Sequence, residues 1–222
     1  MTPAAGAGTL AGMPDQIPQT WEAAAAVFAA APFCHVAFVE DGLPRALPVL
    51  HALEGRTLYV HGSPDSSVIR AAASVAPVSV SAVVLDGVVV AHSACRSSVN
   101  YRSVFGSGTG RRVDDPAEME RALRTTTERL TPGAWDRGRS PRPQEMALTL
   151  VAAVDIQDFS IRVRTGPARE SAADRALPVW SGIVPLRLAA GAPIPDPGVP
   201  PGAPVPPVLR GCLTSAGPPG LR

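Results

Sequence analysis

The feature that most restricts the fold of this chain is a series of short apolar runs separated by two-residue turns. Asp41-Gly42 separates FCHVAFVE from LPRALPVLHA, and Glu54-Gly55 separates that second run from TLYVHG. Such pairs favour β-hairpins, because glycine readily adopts the positive φ angle that a tight hairpin turn needs. The sequence therefore predicts an antiparallel meander of three strands over residues 33–62.

More strands follow. The stretch PVSVSAVVLDGVVVAH predicts a second hairpin around Asp86-Gly87, SSVNYRSVFGSGTGRRV predicts a strand or a strand pair, and MALTLVAAVDI with FSIRVRTG completes the sheet. Pro44 and Pro48 remove two backbone donors from the second strand, which indicates an edge, a bulge or a backbone that faces a ligand. Many short strands and few helices predict a mainly β, antiparallel barrel that is closed or nearly closed.

Three helices are expected between these strands. TWEAAAAVFAAAP has Thr20 as N-cap and Pro32 as stop, and SPDSSVIRAAASV opens at Ser63 or Asp65. DDPAEMERALRTTTERL combines an acidic cap with Pro116 in its first turn, a pattern typical of a helix start.

Composition divides the chain into three parts. Residues 1–17 are rich in Ala, Gly and Pro and predict a flexible lead-in, residues 18–187 predict one folded domain, and residues 188–222 form a Pro/Gly-rich tail. We expect the tail to be extended or disordered, and it could lie across a partner subunit.

Charge and composition reduce the number of possible functions. The formal net charge of +1 argues against nucleic-acid binding, and no apolar run is long enough to cross a membrane. The N-terminus lacks the pattern of a signal peptide, and the three cysteines form no framework, so a cytoplasmic protein is expected. All 20 basic residues are arginines, which excludes Schiff-base chemistry and leaves arginine, hydroxyl and backbone groups to hold any phosphate.

Two polar segments are candidates for ligand binding. In HGSPDSSVIRA a helix start carries three serines and an arginine, which suits a phosphate, although ordinary capping explains the same pattern. In NYRS four polar residues interrupt an apolar strand, which favours either a ligand site or a solvent-facing strand with an ion pair. Four histidines, His35, His51, His61 and His92, are not spaced like metal ligands on one helix. Of these, His61 ends a strand beside a glycine, where ligands often bind, whereas His35 and His92 are expected to be structural.

The order of these motifs resembles the pyridoxamine 5′-phosphate oxidase-like FMN-binding proteins, including the nitroimidazole-resistance-type branch. The segments that carry the resemblance are FCHVAFVEDGLPRALPVLHALEGRTLYVHGS, LDGVVVAHSA, NYRSV and the run from VRTGP to LPVWSGIVPL. The resemblance covers roughly residues 30–187. It implies a split β-barrel that forms a homodimer and holds FMN between the subunits.

The resemblance also implies which residues contact FMN. They lie in three groups: Pro48, Val49 and Leu50; His61, Gly62, Ser63, Ser66, Ser67 and Arg70, with Arg70 and the serines near the phosphate; and Asn100, Tyr101, Arg102 and Ser103. The sequence departs from the family pattern at Ser97, where a histidine is common, and at Arg162, where a lysine is common.

The leading hypothesis is therefore an FMN-dependent oxidoreductase that transfers a hydride or electrons to or from a small organic molecule, with His61 as the catalytic donor or proton relay. The alternatives are a flavin- or haem-binding sensor or carrier without turnover, and a dimer with a purely structural role.

Overall fold

The computed structural model describes residues 18–207, so the predicted lead-in at 1–17 and the tail beyond 207 lie outside the described residues. The strands are β1 Phe33–Glu40, β2 Leu43–Glu54, β3 Thr57–Gly62, β4 Pro77–Val90, β5 Ser98–Arg112, β6 Leu150–Arg164 and β7 Gly182–Pro185. The α-helices are α1 Trp21–Ala30, α2 Ser67–Ala73, α3 Pro116–Leu130, α4 Ala134–Arg137, α5 Pro143–Ala147 and α6 Ala172–Arg175, with a short 3-10 turn at Ala94–Arg96.

Six strands close into an antiparallel barrel. Their order is β1-β2-β3-β6-β5-β4, and β4 returns to pair with β1 through His35 and Ser81. The far end of β4 carries β7 as an additional strand. The mainly β barrel that the sequence predicts is confirmed.

The predicted meander is also confirmed. Asp41 and Gly42 both have positive φ, 53° and 76°, and Gly55 has φ 58°. Residues 43–50 of β2 pair with β1, whereas residues 51–54 pair with β3. Within the described chain, the half of β2 that contains both prolines therefore has one open edge, as its missing donors suggested.

Three local predictions are wrong. There is no hairpin at Asp86-Gly87, because β4 continues to Val90 through a bulge between Leu85 and Gly87. The two strands predicted from MALTLVAAVDI and FSIRVRTG are one long strand, β6, which begins only at Leu150 because Met146 and Ala147 end α5, and which has an irregularity opposite Ser107 and Gly108. Finally, α2 begins after Ser66, because the Ser63 hydroxyl instead accepts the Asp65 N–H in the preceding turn.

Two helices complete the barrel core and a third covers its outside. Residues of α1 and α2, such as Phe28 and Ile69, pack with the inward side chains of the strands. Caps at Thr20 and Asp115 begin α1 and α3 as predicted. From outside, α3 packs through Ala122 and Leu123 against the outward face of β3 and β6. In residues 18–207, no helix is long and apolar enough to span a membrane.

Candidate functional site

Among residues 18–207, no helix covers the outward face of β1, β4 and β5, and we call this face the open wall. One row of directly paired residues crosses it: Pro48 of β2, His35, Ser81, Phe105 and Ser160 of β6. Paired residues on adjacent antiparallel strands point to the same face, so these five side chains form one continuous band.

The open wall is apolar and exposed. Phe33 is 49% exposed, Val83 49%, Leu85 51% and Phe105 47%. A shallow pocket of about 220 Å³ lies among them, and its polar lining consists of His35, Arg162 and three serines, Ser81, Ser103 and Ser160. A large exposed apolar patch edged by polar groups is typical of a ligand or protein interface.

At the β2 side of this wall the structure brings two predicted segments together. His51 pairs with Val60 in the last β2–β3 pair, so Leu50 and His61 are the residues directly beyond the end of that pairing. Pro48 is exposed and Leu50 is half-buried, whereas Val49 faces the core opposite Cys34. Any contact between Val49 and a surface ligand would therefore come from its backbone.

His61 is half-buried at the end of β3, and its imidazole ring has no hydrogen-bond partner among the described residues. Burial lowers the pKa of its imidazole below the usual value, because desolvation disfavours the charged ring. A neutral ring keeps one donor and one acceptor nitrogen. His61 therefore has both free to contact a ligand.

The segment after His61 is less clearly built for phosphate. The helix α2 has only seven residues, and the hydroxyl of its N-cap Ser66 makes no capping bond. The Arg70 guanidinium donates to the carbonyls of Pro64 and Asp65 and lies 3.9 Å from Glu40. Its side chain is 53% exposed, so remaining N–H groups can still reach a ligand.

The NYRS segment lies on β5, and two of its side chains already have protein partners. Arg102 makes a two-bond salt bridge with buried Asp86 at 2.9 and 2.8 Å. The Asn100 carbonyl oxygen accepts from Arg164 at 2.7 Å, while its buried amide nitrogen has no partner. Arg102 is thus occupied by an ion pair, and Asn100 keeps one free donor.

The other half of NYRS belongs to the open wall. Ser103 pairs with Val83 and lines the wall pocket, and Tyr101 pairs with Leu85. Three strand spacings separate β5 from β2, a distance of about 14 Å. The two groups of predicted residues therefore lie on one surface but are not in direct contact.

Two histidine environments were not predicted by sequence analysis. His35 is exposed on the open wall, not structural, and His92 contacts Glu170, a residue 78 positions away in sequence. No local signal connects His92 with Glu170, so sequence reasoning could not find this pair. Among residues 18–207 no cluster of three or more metal-ligating side chains occurs, and Cys34 and Cys95 are free.

The family model described as pyridoxamine 5′-phosphate oxidase matches residues 20–163. None of the curated proteins matches this chain. Two solved structures are similar in both sequence and fold. The FAD and haem binding protein from Mycobacterium smegmatis is 37% identical, with a TM-score of 0.81 over 89% of this chain and 96% of that one. The flavocytochrome Anf3 from Azotobacter vinelandii is 33% identical, with a TM-score of 0.78 over 86% of this chain and 89% of that one.

A third structure is similar in fold alone. It is a putative 5-nitroimidazole antibiotic resistance protein from Bacteroides thetaiotaomicron, 19% identical, with a TM-score of 0.55 over 65% of this chain and 84% of that one. This structure therefore covers a smaller share of the chain than the two relatives above, which extend over nearly the whole described length.

Proposed function

This chain belongs to the pyridoxamine 5′-phosphate oxidase family, and from that premise we propose that it binds a flavin on the open wall and transfers electrons through it. The observation that carries this proposal is the exposed apolar wall beside the open edge of β2. A flavin ring is flat and largely apolar with polar groups on its rim, and the wall offers side chains of both kinds.

The residues present fit such a ring. Phe33, Val83 and Phe105 supply apolar surface, and Ser81 and Ser103 supply hydroxyls. Backbone groups on the open edge of residues 43–50 are available for the rim of the ring, because that edge lacks a second strand. Arg45 lies on this edge itself, and Arg70, 3.9 Å from Glu40 at the end of β1, also suits a phosphate together with Ser66 and Ser67.

The sequence predicts FMN, whereas the relative at 37% identity binds FAD. We propose FAD as the flavin, because that relative matches this chain over its C-terminal part as well as over the barrel. FMN is the competing assignment, and both are tested below.

A bound flavin supplies hydride or single-electron chemistry, while the protein orients the reactants and manages protons. His61 is the group best suited to move a proton, since its ring is neutral and half-buried and has no hydrogen-bond partner within residues 18–207. Arg162 on the wall can attract an anionic group of a small organic substrate.

We also propose that two copies associate through the open wall and enclose the flavin. Exposed phenylalanine and valine side chains cost free energy in water, and a second copy of the same wall would remove them from solvent. The predicted homodimer would thereby close over a ligand on this surface.

The test is a titration of the purified full chain with FAD and with FMN, following flavin fluorescence, together with extraction of any flavin that co-purifies. We expect tight FAD binding that Phe105→Asp abolishes and that Arg70→Ala weakens. Val75→Asp is the matched control, because Val75 is 87% exposed and does not line the wall pocket. Absence of quenching with either flavin would refute the proposal. Oxidation of a reduced nicotinamide by the loaded protein would separate an oxidoreductase from a carrier.

A second candidate function is favoured by the relatives. The Mycobacterium smegmatis and Azotobacter vinelandii structures described above both carry haem or cytochrome in their names. We therefore propose that this chain also binds haem, as a flavin- and haem-binding electron carrier or oxidase. A Soret band after reconstitution with hemin tests this proposal independently of the flavin titration.

A further inference from the structure

A carboxylate holds His92 just after the end of β4. The Nδ1 atom of His92 lies 2.8 Å from Glu170 Oε2, and the Ser93 N–H donates to Glu170 Oε1 at 3.1 Å. The two side chains are 13% and 5% exposed.

This arrangement sets the tautomer of His92. With Nδ1–H donated to the carboxylate, the lone pair of Nε2 points away from Glu170. Nε2 has no hydrogen-bond partner among residues 18–207. Only His51 Nδ1 and Asn100 Nδ2 are buried side-chain polar atoms without a partner in this part of the chain. Because Nε2 of His92 is not among them, it is accessible from the surface. Proteins commonly orient a metal-binding imidazole in this way.

An exposed apolar surface lies at the end of β4, on residues that precede His92 in the chain and on their strand partners. Val88 pairs with Val184 on one side and with Val99 on the other, and these three are 38%, 46% and 37% exposed. The indole of Trp180, 65% exposed, packs against Gly182, where an added Cβ would meet Trp180 Cζ2 at 3.0 Å. We call Val88, Val99, Trp180 and Val184 the β7 patch. Gly182 pairs with Val90, which is two residues before His92.

The other histidines are less suited to bind iron. His51 is buried, with Nε2 at 3.0 Å from the Phe28 carbonyl and Nδ1 enclosed. His35 is exposed on the open wall and has no carboxylate partner among the described residues. His61 is free, but it too lacks a group that fixes its ring. In the described chain, His92 alone combines a fixed tautomer, an available Nε2 and a neighbouring apolar surface.

We propose that His92 would ligate the iron of a bound haem, that Glu170 is the positioning residue for its ring, and that the β7 patch would supply apolar surface for the porphyrin. This inference rests on the haem part of the proposed function. Haem iron is commonly held by one histidine within an apolar pocket, and the hydrogen bond to that histidine tunes the iron.

The competing explanation is a structural clasp, in which Glu170 only ties the segment after β6 to the loop after β4. The two explanations differ in what the variants do to the haem spectrum. A clasp affects folding stability, whereas a ligand determines the coordination of the iron.

The experiment uses the full chain reconstituted with hemin, comparing wild type with His92→Gln, His92→Gly, His61→Gln and Glu170→Gln. Gln can still donate to Glu170, so His92→Gln preserves the clasp and removes the ligand. We expect both His92 variants to lose the histidine-ligated Soret spectrum, imidazole to restore it in His92→Gly, and His61→Gln to leave it unchanged. Glu170→Gln should weaken haem binding about tenfold and raise the reduction potential.

A wild-type spectrum in His92→Gln, or its loss in His61→Gln alone, would overturn the assignment of His92. Unfolding curves of the same variants show whether lost haem reflects lost structure. If wild type binds FAD but takes up no hemin, this inference fails while the flavin proposal stands.

Discussion

The barrel has two outward faces that differ in whether a helix covers them. On β3 and β6 the face lies beneath α3, where Tyr59, Val151 and Ala153 are buried against Ala122 and Leu123. On β1, β4 and β5 the open wall leaves Phe33, Val83 and Phe105 about half exposed. One sheet thus provides both a covered face and an uncovered one.

Polar groups follow the same division. Under α3 the Tyr59 hydroxyl donates to Glu118 at 2.7 Å, and Arg111 makes two bonds to the same carboxylate at 3.0 and 2.6 Å. On the open wall, by contrast, the hydroxyl of Ser103 makes one long bond of 3.4 Å to the Arg162 carbonyl. The polar side chains beneath α3 therefore hydrogen-bond to one another, whereas those on the open wall remain available for a ligand or a second copy.

This contrast predicts where substitutions cost stability. The largest effect is expected at Arg129, in the last turn of α3, whose guanidinium donates to the carbonyls of Phe28 and His51 at 2.9 Å and also to that of Ala31. It thereby joins α3 to the C-terminal end of α1, where a cation is favoured. Arg129→Met should reduce the free energy of unfolding by about 2–3 kcal/mol, because buried carbonyls lose their donor.

Urea unfolding measures this loss. The matched control is Arg124→Met on the same helix, since Arg124 and its partner Asp136 are 52% and 68% exposed and such surface pairs contribute about 0–1 kcal/mol. Equal losses in the two variants would show that Arg129 does not anchor the covered side.

The next effect depends on pH and involves His51, whose carbonyl accepts from Arg129. Burial lowers the pKa of His51 to about 4, from 6.5 in an unfolded chain. Because the folded pKa is depressed, the stabilisation is complete above pH 6.5 and is lost as pH falls towards 4, by up to about 3 kcal/mol. Urea unfolding between pH 7 and 4.5 should show this decline in wild type and a flatter profile in His51→Gln.

A lowered pKa at His61 acts in the same direction, so His61→Gln must be measured in parallel. If His51→Gln retains the full acid dependence while His61→Gln removes it, the assignment to His51 is wrong.

The sequence specified most of the barrel because hairpin turns and alternating strands are local signals. Asp41, Gly42 and Gly55 have the backbone angles that their residue types favour. The same rule failed at Asp86-Gly87, since the Asp86 carboxylate is held by Arg102 from the adjacent strand and the chain bulges instead of turning. Tertiary contacts of this kind leave no local pattern to read.

The candidate site also has a part that could be predicted from the sequence and a part that could not. Pro48 to Leu50 and His61 could be grouped by resemblance, and the register of β2 and β3 brings them together. The open wall itself was not predicted, because an exposed strand face and a buried one have similar residues when a partner or ligand covers the first. Arg162 and Ser160 enter the wall pocket only through the β5–β6 register.

A substitution on the open wall should weaken the association of two copies more than it lowers the stability of the folded protomer. Phe105→Asp places a charge at the centre of this apolar band, and we expect the proposed homodimer to dissociate at least about tenfold more readily, since a buried unpaired charge is costly. Sedimentation at several protein concentrations measures this, with Val75→Asp as the control of equal charge. A dissociation constant unchanged by Phe105→Asp would mean that the copies associate elsewhere or not at all.

The smallest expected effect gives the sharpest comparison of the two faces. Val83→Ser on the open wall should change the free energy of unfolding of the isolated protomer by less than about 0.5 kcal/mol, because a half-exposed side chain loses little transfer free energy. Val151→Ser beneath α3, where the residue is 1% exposed, should cost about 2 kcal/mol or more, because it leaves a cavity and buries a hydroxyl. Both must be measured at concentrations where the protein is monomeric, since dimerisation would add to the apparent stability of the wall. If Val83→Ser costs as much as Val151→Ser under those conditions, the wall belongs to the protomer's own core and not to an interface.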